Sequence, residues 1–317
     1  MSPRVSVIIV TFRSEATIGA CLKSVQACAA CVPKAPDAAG GLEVVVVDNA
    51  SGDGTVERVR AAAPQARLIV NRTNRGFSHA VNQGARMSSG DYLLLLNPDC
   101  RVEPDAIGRL VSFFESTPRA GACGPKILSP DGSLQLSCRA FPDHSTALFH
   151  RHSLLTRLFP RNPHSDRYLK TRWDHESQAR VDWVSGAAVL LRREAFQRVG
   201  GMDEDYFLYC EDVDLCWRLN QHGWATYFVP EAVVHHHVGR SSRQVPYRAL
   251  YERHRSMYTF YKKHYSQNIP LIDFATFVGI GMRCLMLLGL AASGRGIGHH
   301  GQQSSRPRTS ARRSARP

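Results

Sequence analysis

The sequence lacks the common signatures of nucleotide handling and nucleophilic catalysis. No G-x-G-x-x-G follows its first strand-like run, so the usual dinucleotide cradle is excluded. No G-x-x-x-x-G-K-[ST] occurs, which excludes a P-loop nucleotidase, and there is no G-x-S-x-G elbow. Glycine (24 of 317 residues) and proline (17) are too sparse for a collagen-like chain, and 43% hydrophobic residues exclude a wholly disordered one. The nine cysteines are an odd number without a pattern. Cys28-x-x-Cys31 is the only close pair, and no second pair completes a zinc site. Unpaired thiols in a reducing cytosol are the expectation. The opening MSPRVSVIIVTF lacks the apolar core and cleavage site of a secretory signal, which also points to the cytoplasm. No repeat of solenoid length is present.

Acidic residues are scarce: 40 Lys+Arg stand against 27 Asp+Glu, a net charge of +13. Six of the excess charges are arginines 295, 306, 308, 312, 313 and 316, in the stretch Ser293–Pro317, which holds no acid and no aromatic residue. A nucleic-acid binder would interleave basic and aromatic residues on its folded part. No nucleic-acid partner is therefore expected, and the stretch reads as a disordered basic tail.

What is present is strand–helix alternation. Val5–Phe12 is a β-branched run that reads as a buried strand, and helical spacing follows from Glu15 to about Ala29. Glu43–Val47 is a second strand with Asp48 at its end, and Asp53 is a plausible N-cap for the next helix. Leu68–Val70, a helix over Ala80–Met87 and the strand Asp91–Leu96 continue the pattern. Continuous apolar strands alternating with helices predict an α/β fold with a mostly parallel sheet covered on both faces. Ligands bind such sheets beyond the carboxyl ends of the strands, where Asp48 and Asn97-Pro98-Asp99 both fall. Residues 138–180 read as loops and short helices. Further helices are expected over Arg193–Val199, closed by Gly200-Gly201, and over Glu211–Gln221, ending at Gly223, with a strand over Trp224–Val229.

Each acidic site has two readings. Asp48 and Asn97-Pro98-Asp99 are turn residues, or carboxylates placed for a divalent cation that bridges phosphates. Glu211-Asp212-Val213-Asp214 opposes a helix dipole, or supplies a general base. His235-His236-His237 is a surface tract, or holds an imidazole ligand for the same cation.

Taken in order, VSVIIVTF, VVVVDNASGDGT, NRTNRGFSHAVNQGARMSSGDYLLLLNPD, DWVSGAAVLLRREAFQRVGGMDEDYFLYCEDVDLCWRL and HHHVGRSS resemble the family 2 glycosyltransferases, and within them the rhamnosyltransferase-like branch. The resemblance runs from residue 5 to about 265. It implies a GT-A-type nucleotide-sugar-binding fold and an inverting transfer that needs no Ser or Cys nucleophile. Thr11 and Asp48 match positions that hold the base and ribose. Asn74, Gly76, Phe77, Asn82 and Gly84 match the N-x-G-F-x-x-x-x-N-x-G segment beside the nucleotide, and Asp91 matches the acid before the fourth strand. Asn97-Pro98-Asp99 stands where the family has D-x-D, with Asn97 in the first place and Asp99 as the expected ligand for Mg²⁺ or Mn²⁺. His236, through Gly239 and Ser241, fits H-x-x-G-x-S as the second ligand, with a register open among the three histidines. Asp212 matches the base, with Glu211 beside it. Trp183, Ser185 and Gly186 match the acceptor side, where an aromatic face can pack on a sugar. The branch implies dTDP-rhamnose as donor and a lipid-linked or polysaccharide acceptor, with UDP- and GDP-sugars as alternatives. A sugar-nucleotide pyrophosphorylase would need a Gly-rich basic loop after the first strand, where TFRSEATIG stands instead.

The organisation expected is a catalytic domain over 1–265, a membrane-associated helical segment over 266–292 and the tail over 293–317. Leu271–Ala292 is long enough to span a bilayer, yet Asp273 and Arg283 interrupt it. With Thr276 and Gly279 or Ile280 they form one polar stripe. An in-plane helix with its apolar side in lipid, a packing helix and a true span all remain open. Together with the basic tail, residues 271–317 suit a peripheral position on the anionic inner face of the cell membrane.

Overall fold

The computed structural model describes residues 4–32, 41–142, 173–237 and 245–293. Four parallel strands carry its first half: β1 (Val5–Thr11), β2 (Leu42–Asp48), β3 (Arg67–Val70) and β4 (Tyr92–Leu96). Every residue of β1 and β4 is buried, because helices cover both faces of the sheet. The side chains alternate strictly. Val5, Val7 and Ile9 face the core built with α1 (Glu15–Ala27) and α4 (Ala106–Ser116), while Ile8 and Val10 face the core built with α3 (Phe77–Arg86). Each such aliphatic side chain contributes about 1.5–3 kcal/mol by leaving water. Gly84 lets α3 lie close on the sheet, since a Cβ there would stand 2.6 Å from Ile8 Cγ2. A helix α2 (Thr55–Ala62) follows β2, and its N-cap is Gly54 rather than Asp53. Asp53 accepts instead from the Thr55 N–H at 3.1 Å, one step further into the turn.

The second half adds β5 (Cys100–Val102), β6 (Ala120–Leu128), β7 (Leu134–Gln135), β8 (Cys138–Arg139), β9 (Ala179–Val181), β10 (Trp183–Val184), β11 (Ala188–Arg192) and β12 (Ala225–His236). The sheet runs β3-β2-β1-β4-β11-β6-β12-β5, with β7 and β9 on its flanks and β8–β10 as a separate pair. β11 is antiparallel to both β4 and β6, a strand direction that the apolar stretch 183–191 does not reveal by itself. β12 is twice as long as its sequence suggests. Its register against β6 shifts between Val229 and Val233, around Pro230, and its last residues pair antiparallel with β5.

Helix α5 (Arg193–Arg198) ends at Gly200-Gly201, both at positive φ, and α6 (Glu211–Gln221) ends at Gly223. Helices α7 (Pro246–His264) and α8 (Pro270–Ala292) close the described chain. The polar stripe of α8 turns toward α7. Asp273 accepts from Tyr261 Oη at 2.8 Å and Lys262 Nζ at 2.6 Å, and Arg283 Nη1 reaches Met257 Sδ. Ile280 lies on this side and Gly279 does not. The opposite face, with Leu271, Phe274, Phe277, Leu285 and Met286, is exposed. The tail beyond Ser293, the stretch 143–172, and the Gly239 and Ser241 positions lie outside the described residues.

Candidate active site

The carboxyl ends of β1, β2 and β4 meet where the sheet theory places ligands. Thr11 pairs with Asp48 in register, and Thr11 Oγ1 donates to Asp48 Oδ1 at 2.8 Å. The Ser51 N–H donates to Asp48 Oδ2 at 3.0 Å, and Ser51 Oγ also reaches Oδ1. Asp48 is thus a turn-forming residue, and three donors leave about one of its four acceptor positions free. Asn49, which motif reading passed over, ties this end to the next segment. Its Nδ2 donates to Asn74 Oδ1 and to Gly76 O, both at 3.0 Å. Gly76 sits at φ 98°, and a Cβ there would stand 2.8 Å from Phe207 O, so only glycine fits. The Phe77 N–H donates to the same Phe207 O at 2.8 Å.

Not every expected residue gathers here. Asp91 lies at the opposite, amino end of β4, exposed and 3.6 Å from Arg4, so a parallel strand's length separates it from the site. Asn82 is occupied by Met202 O at 2.8 Å and Glu204 Oε1 at 2.9 Å, which makes it the anchor of the 201–204 loop. Trp183 offers no free ring face of the kind expected for a sugar. It is 7% exposed, its indole N–H donates to Ala140 O at 2.8 Å, and the Arg139 guanidinium lies 5.3 Å from the ring centroid.

Asp99 and His236 come together through the β5–β12 pairing. Cys100 is opposite His236, and the His237 N–H donates to Asp99 O at 3.1 Å. This leaves His236 Nε2 3.3 Å from Asp99 Oδ1, with both side chains largely buried. His235 turns away to Glu103 at 3.2 Å. Gln135, on β7, sets the tautomer. Its amide nitrogen is committed to His236 O at 2.7 Å and Ser129 Oγ at 3.2 Å, so its Oε1 accepts from His236 Nδ1–H at 3.0 Å. Nε2 then presents a lone pair to a carboxylate oxygen, an arrangement that calls for a shared positive charge. One oxygen and one imidazole nitrogen fit Mg²⁺ or Mn²⁺. Cys100 lies in the same cluster, but burial pushes its thiol well above the usual range and Sγ donates to Ala187 O. As a protonated thiol it is a poor partner for a hard cation.

The segment 185–187 links this pair to the head of α6. The Asn97 N–H donates to Ala187 O at 2.8 Å, and one residue away the Gly186 N–H donates to Asp212 Oδ2 at 3.0 Å. Ser185 Oγ accepts from the Ala187 N–H at 3.3 Å and stiffens the turn. Asp212 Oδ1 accepts from the Val213 N–H at 2.9 Å. Two non-glycine residues in left-handed conformation, Tyr209 (φ 71°) and Cys210 (φ 65°), precede the helix, the kind of backbone strain that clusters at functional sites. Burial raises the Asp212 carboxyl above its ordinary value against the opposing pull of Gly186, Val213 and Arg139. Arg139 had no motif to mark it. Glu211 is also raised, by burial first and then by the Asp212 charge, and its Oε2 is buried without a partner.

A buried acid raised in this way stabilises the fold at low pH, where it is neutral in both states. That contribution is lost as pH climbs from the unfolded carboxylate range through the raised folded value. Glu211→Gln keeps the shape and removes the titration. The variant is expected to match the wild-type melting temperature near pH 4 and to exceed it increasingly above pH 6. Parallel melting curves across pH would refute this.

The Glycosyl transferase family 2 model matches residues 6–200. The chain is 38% identical over 236 residues (71% of this chain and 76% of the relative) to the N-acetylglucosaminyl-diphospho-decaprenol L-rhamnosyltransferase of Mycobacterium tuberculosis. It is 31% identical over 180 residues to the rhamnosyltransferase WbbL of Escherichia coli, covering 53% of this chain and 63% of that one. Among solved structures, the mannosyltransferase PcManGT of Pyrobaculum calidifontis, in complex with GDP-Man and Mn²⁺, superposes with a TM-score of 0.55 at 20% identity, over 92% of this chain and 80% of that one. That likeness gives the fold, GT-A, and the family match covers more than half of the chain. The protein belongs to glycosyl transferase family 2 and is a glycosyltransferase.

Proposed function

We propose that the chain transfers rhamnose from dTDP-rhamnose, with inversion, to a hydroxyl of a sugar carried on a prenyl diphosphate. The observation that supports this reading is the alignment with the decaprenol-linked rhamnosyltransferase, 38% identical over 236 residues. Asp99 and His236 would hold the divalent ion, which when bound offsets the charge that develops on the departing nucleoside diphosphate. Thr11, Asp48 and Asn74 shape the nucleotide end through the Asp48 turn and the Asn49 bridge, with Gly76, Phe77 and Asn97 along its wall. Asp212, ionised and aimed by the Gly186 N–H, takes the proton from the acceptor hydroxyl as its oxygen attacks. Glu211, whose carboxyl is raised by burial and by the Asp212 charge, lies beside it. Ser185 and Gly186 form the acceptor-side turn.

The exposed apolar face of α8 supports a peripheral position on the cytoplasmic face of the membrane. The helix is 23 residues long with a mean hydropathy of 1.8 in its apolar window, long and apolar enough to cross a bilayer by length and composition. Because its polar stripe is already satisfied by α7, the remaining face suits the headgroup–acyl boundary. A panel of dTDP-, UDP- and GDP-sugars tested with a prenyl-diphosphate-linked N-acetylglucosamine decides the donor. Transfer from dTDP-rhamnose alone is expected, and preferential transfer from another donor refutes the assignment.

Gln135 supplies a second test. Gln135→Leu frees His236 to turn or to shift its proton to Nε2, and a tenfold to about hundredfold loss of Mn²⁺ affinity is expected. Unchanged Mn²⁺ titration in the variant would show that the imidazole does not need this partner.

A further inference from the structure

Four side-chain amides form one hydrogen-bonded chain at the nucleotide end, and two backbone groups of Gly76 decide which way it runs. The Gly76 N–H donates to Asn74 Oδ1 at 2.9 Å, and Gly76 O accepts from Asn49 Nδ2 at 3.0 Å. A backbone N–H only donates and a carbonyl only accepts, so the oxygen of Asn74 and the nitrogen of Asn49 both face Gly76. Asn49 Nδ2 also donates to the same Asn74 Oδ1 at 3.0 Å. Asn49 Oδ1 is left to accept, and Asn71 Nδ2 donates to it at 3.2 Å. Asn71 and Gln83 then close a reciprocal pair, Nδ2 to Oε1 at 2.8 Å and Nε2 to Oδ1 at 3.1 Å. Main-chain bonds tie the chain to the strand ends, from the Asn49 N–H to Thr11 O at 2.8 Å and from the Asn71 N–H to Asp48 O at 2.9 Å. Turning any one amide over would set two acceptors or two donors face to face, which is costly around the buried Asn49 and Gly76.

The chain ends in a group of one polarity. With its oxygen already accepting twice, the half-buried Asn74 turns its nitrogen away from Gly76, and no described residue accepts from that Nδ2. Asn74 therefore offers two N–H donors and no acceptor, which suits an oxygen of a ligand. β2 and β3, whose ends lead into Asn49 and Asn71, lie two and three strands from β4, which leads into Asp99. At about 4.8 Å per strand this edge is roughly 10–14 Å from the Asp99 turn. A nucleotide whose diphosphate meets a cation at Asp99 brings its base, not its phosphates, to Asn74. We propose that Asn49, Asn71 and Gln83 are positioning residues that hold the Asn74 carboxamide nitrogen as a hydrogen-bond donor to a carbonyl oxygen of the donor's base. Thymine, uracil and guanine carry such an oxygen, and adenine does not. This rests on the nucleotide lying at these strand ends, as proposed above, and not on which sugar it carries.

The experiment titrates dTDP, UDP, GDP and ADP, each with Mn²⁺, into the full chain and into Asn74→Ala, Asn71→Leu and the double variant. Thermal melting checks folding. The tightest binder among dTDP, UDP and GDP is the probe, and ADP is the control whose base has no carbonyl. Asn74→Ala is expected to weaken the probe about tenfold, the scale of one lost hydrogen bond, and to leave ADP unchanged. Asn71→Leu should weaken the probe at least about threefold. The double variant should be no weaker than Asn74→Ala, because a residue that acts through Asn74 then has nothing left to position. Unchanged probe affinity in Asn74→Ala means that the nucleotide lies elsewhere and overturns the proposal. An equal loss for ADP assigns Asn74 to the ribose or a phosphate and overturns it too. Full probe affinity in Asn71→Leu, or losses that multiply in the double variant, would leave Asn74 in contact with the nucleotide but overturn its positioning. Should Asn71→Leu not fold, Gln83→Leu, one link further along, repeats the cycle. None of these readings needs transfer, so failure of the donor panel is a separate result.

Discussion

Asp212→Asn is expected to lower sugar transfer by about 10²–10⁴-fold with little change in nucleoside diphosphate binding. The substitution is close to isosteric, and an amide oxygen can still accept from the Gly186 N–H, so the turn joining α6 to the 185–187 segment stays in place. What disappears is a group able to take a proton. The wild-type rate should fall as pH drops through the Asp212 pKa, which burial raises above the ordinary carboxylate value. The acidic limb is therefore expected nearer neutrality than about pH 4, where an unperturbed Asp titrates. Glu211→Gln leaves the Asp212 carboxylate in place, so transfer activity is expected to persist in that variant. Full activity in Asp212→Asn, or loss of activity in Glu211→Gln equal to that in Asp212→Asn, would sink the assignment of the base.

The strand ends were legible because their signal is local. Three apolar runs, each followed by a polar turn, place Thr11, Asp48 and Asn97 at one edge whatever the rest of the chain does. The termini of α6 were legible for the same reason, since the acids at its start and Gly223 after its end are adjacent in sequence. Pairings over long separations were not. The position of His236 opposite Cys100 depends on a register shift around Pro230, and the hydrogen bond to Gln135 joins residues 101 apart. Nothing in a tract of three histidines shows which ring turns inward. Asp91 misled because a motif records order along the chain, whereas a strand separates its two ends in space. Trp183 misled because its partner Arg139 lies on another strand, β8. On α8 the polar stripe was visible in the residue spacing. Its partner was not, because Tyr261, Lys262 and Ser266 belong to the helix and turn before it.

Asp99→Ala is expected to abolish metal-dependent transfer, with a loss of at least about 10²–10³-fold, the scale of removing one electrostatic stabiliser of a developing oxyanion. The fold should survive. The His237 N–H bonds the backbone oxygen of residue 99, which alanine retains, and the β5–β12 pairing uses main-chain groups. Only the carboxylate facing His236 is removed. Direct Mn²⁺ titration should show weakened binding, and millimolar Mn²⁺ should not restore the wild-type rate. His236→Ala leaves the oxygen and removes the nitrogen, so its effect should be of similar kind. If both side chains act on one ion, the double variant will be little worse than the worse single one, because a site already lost cannot be lost again. If the two effects simply multiply, or if Asp99→Ala keeps its Mn²⁺ dependence, Asp99 and His236 do not share an ion. The lone pair that Gln135 directs toward Asp99 would then require a proton instead.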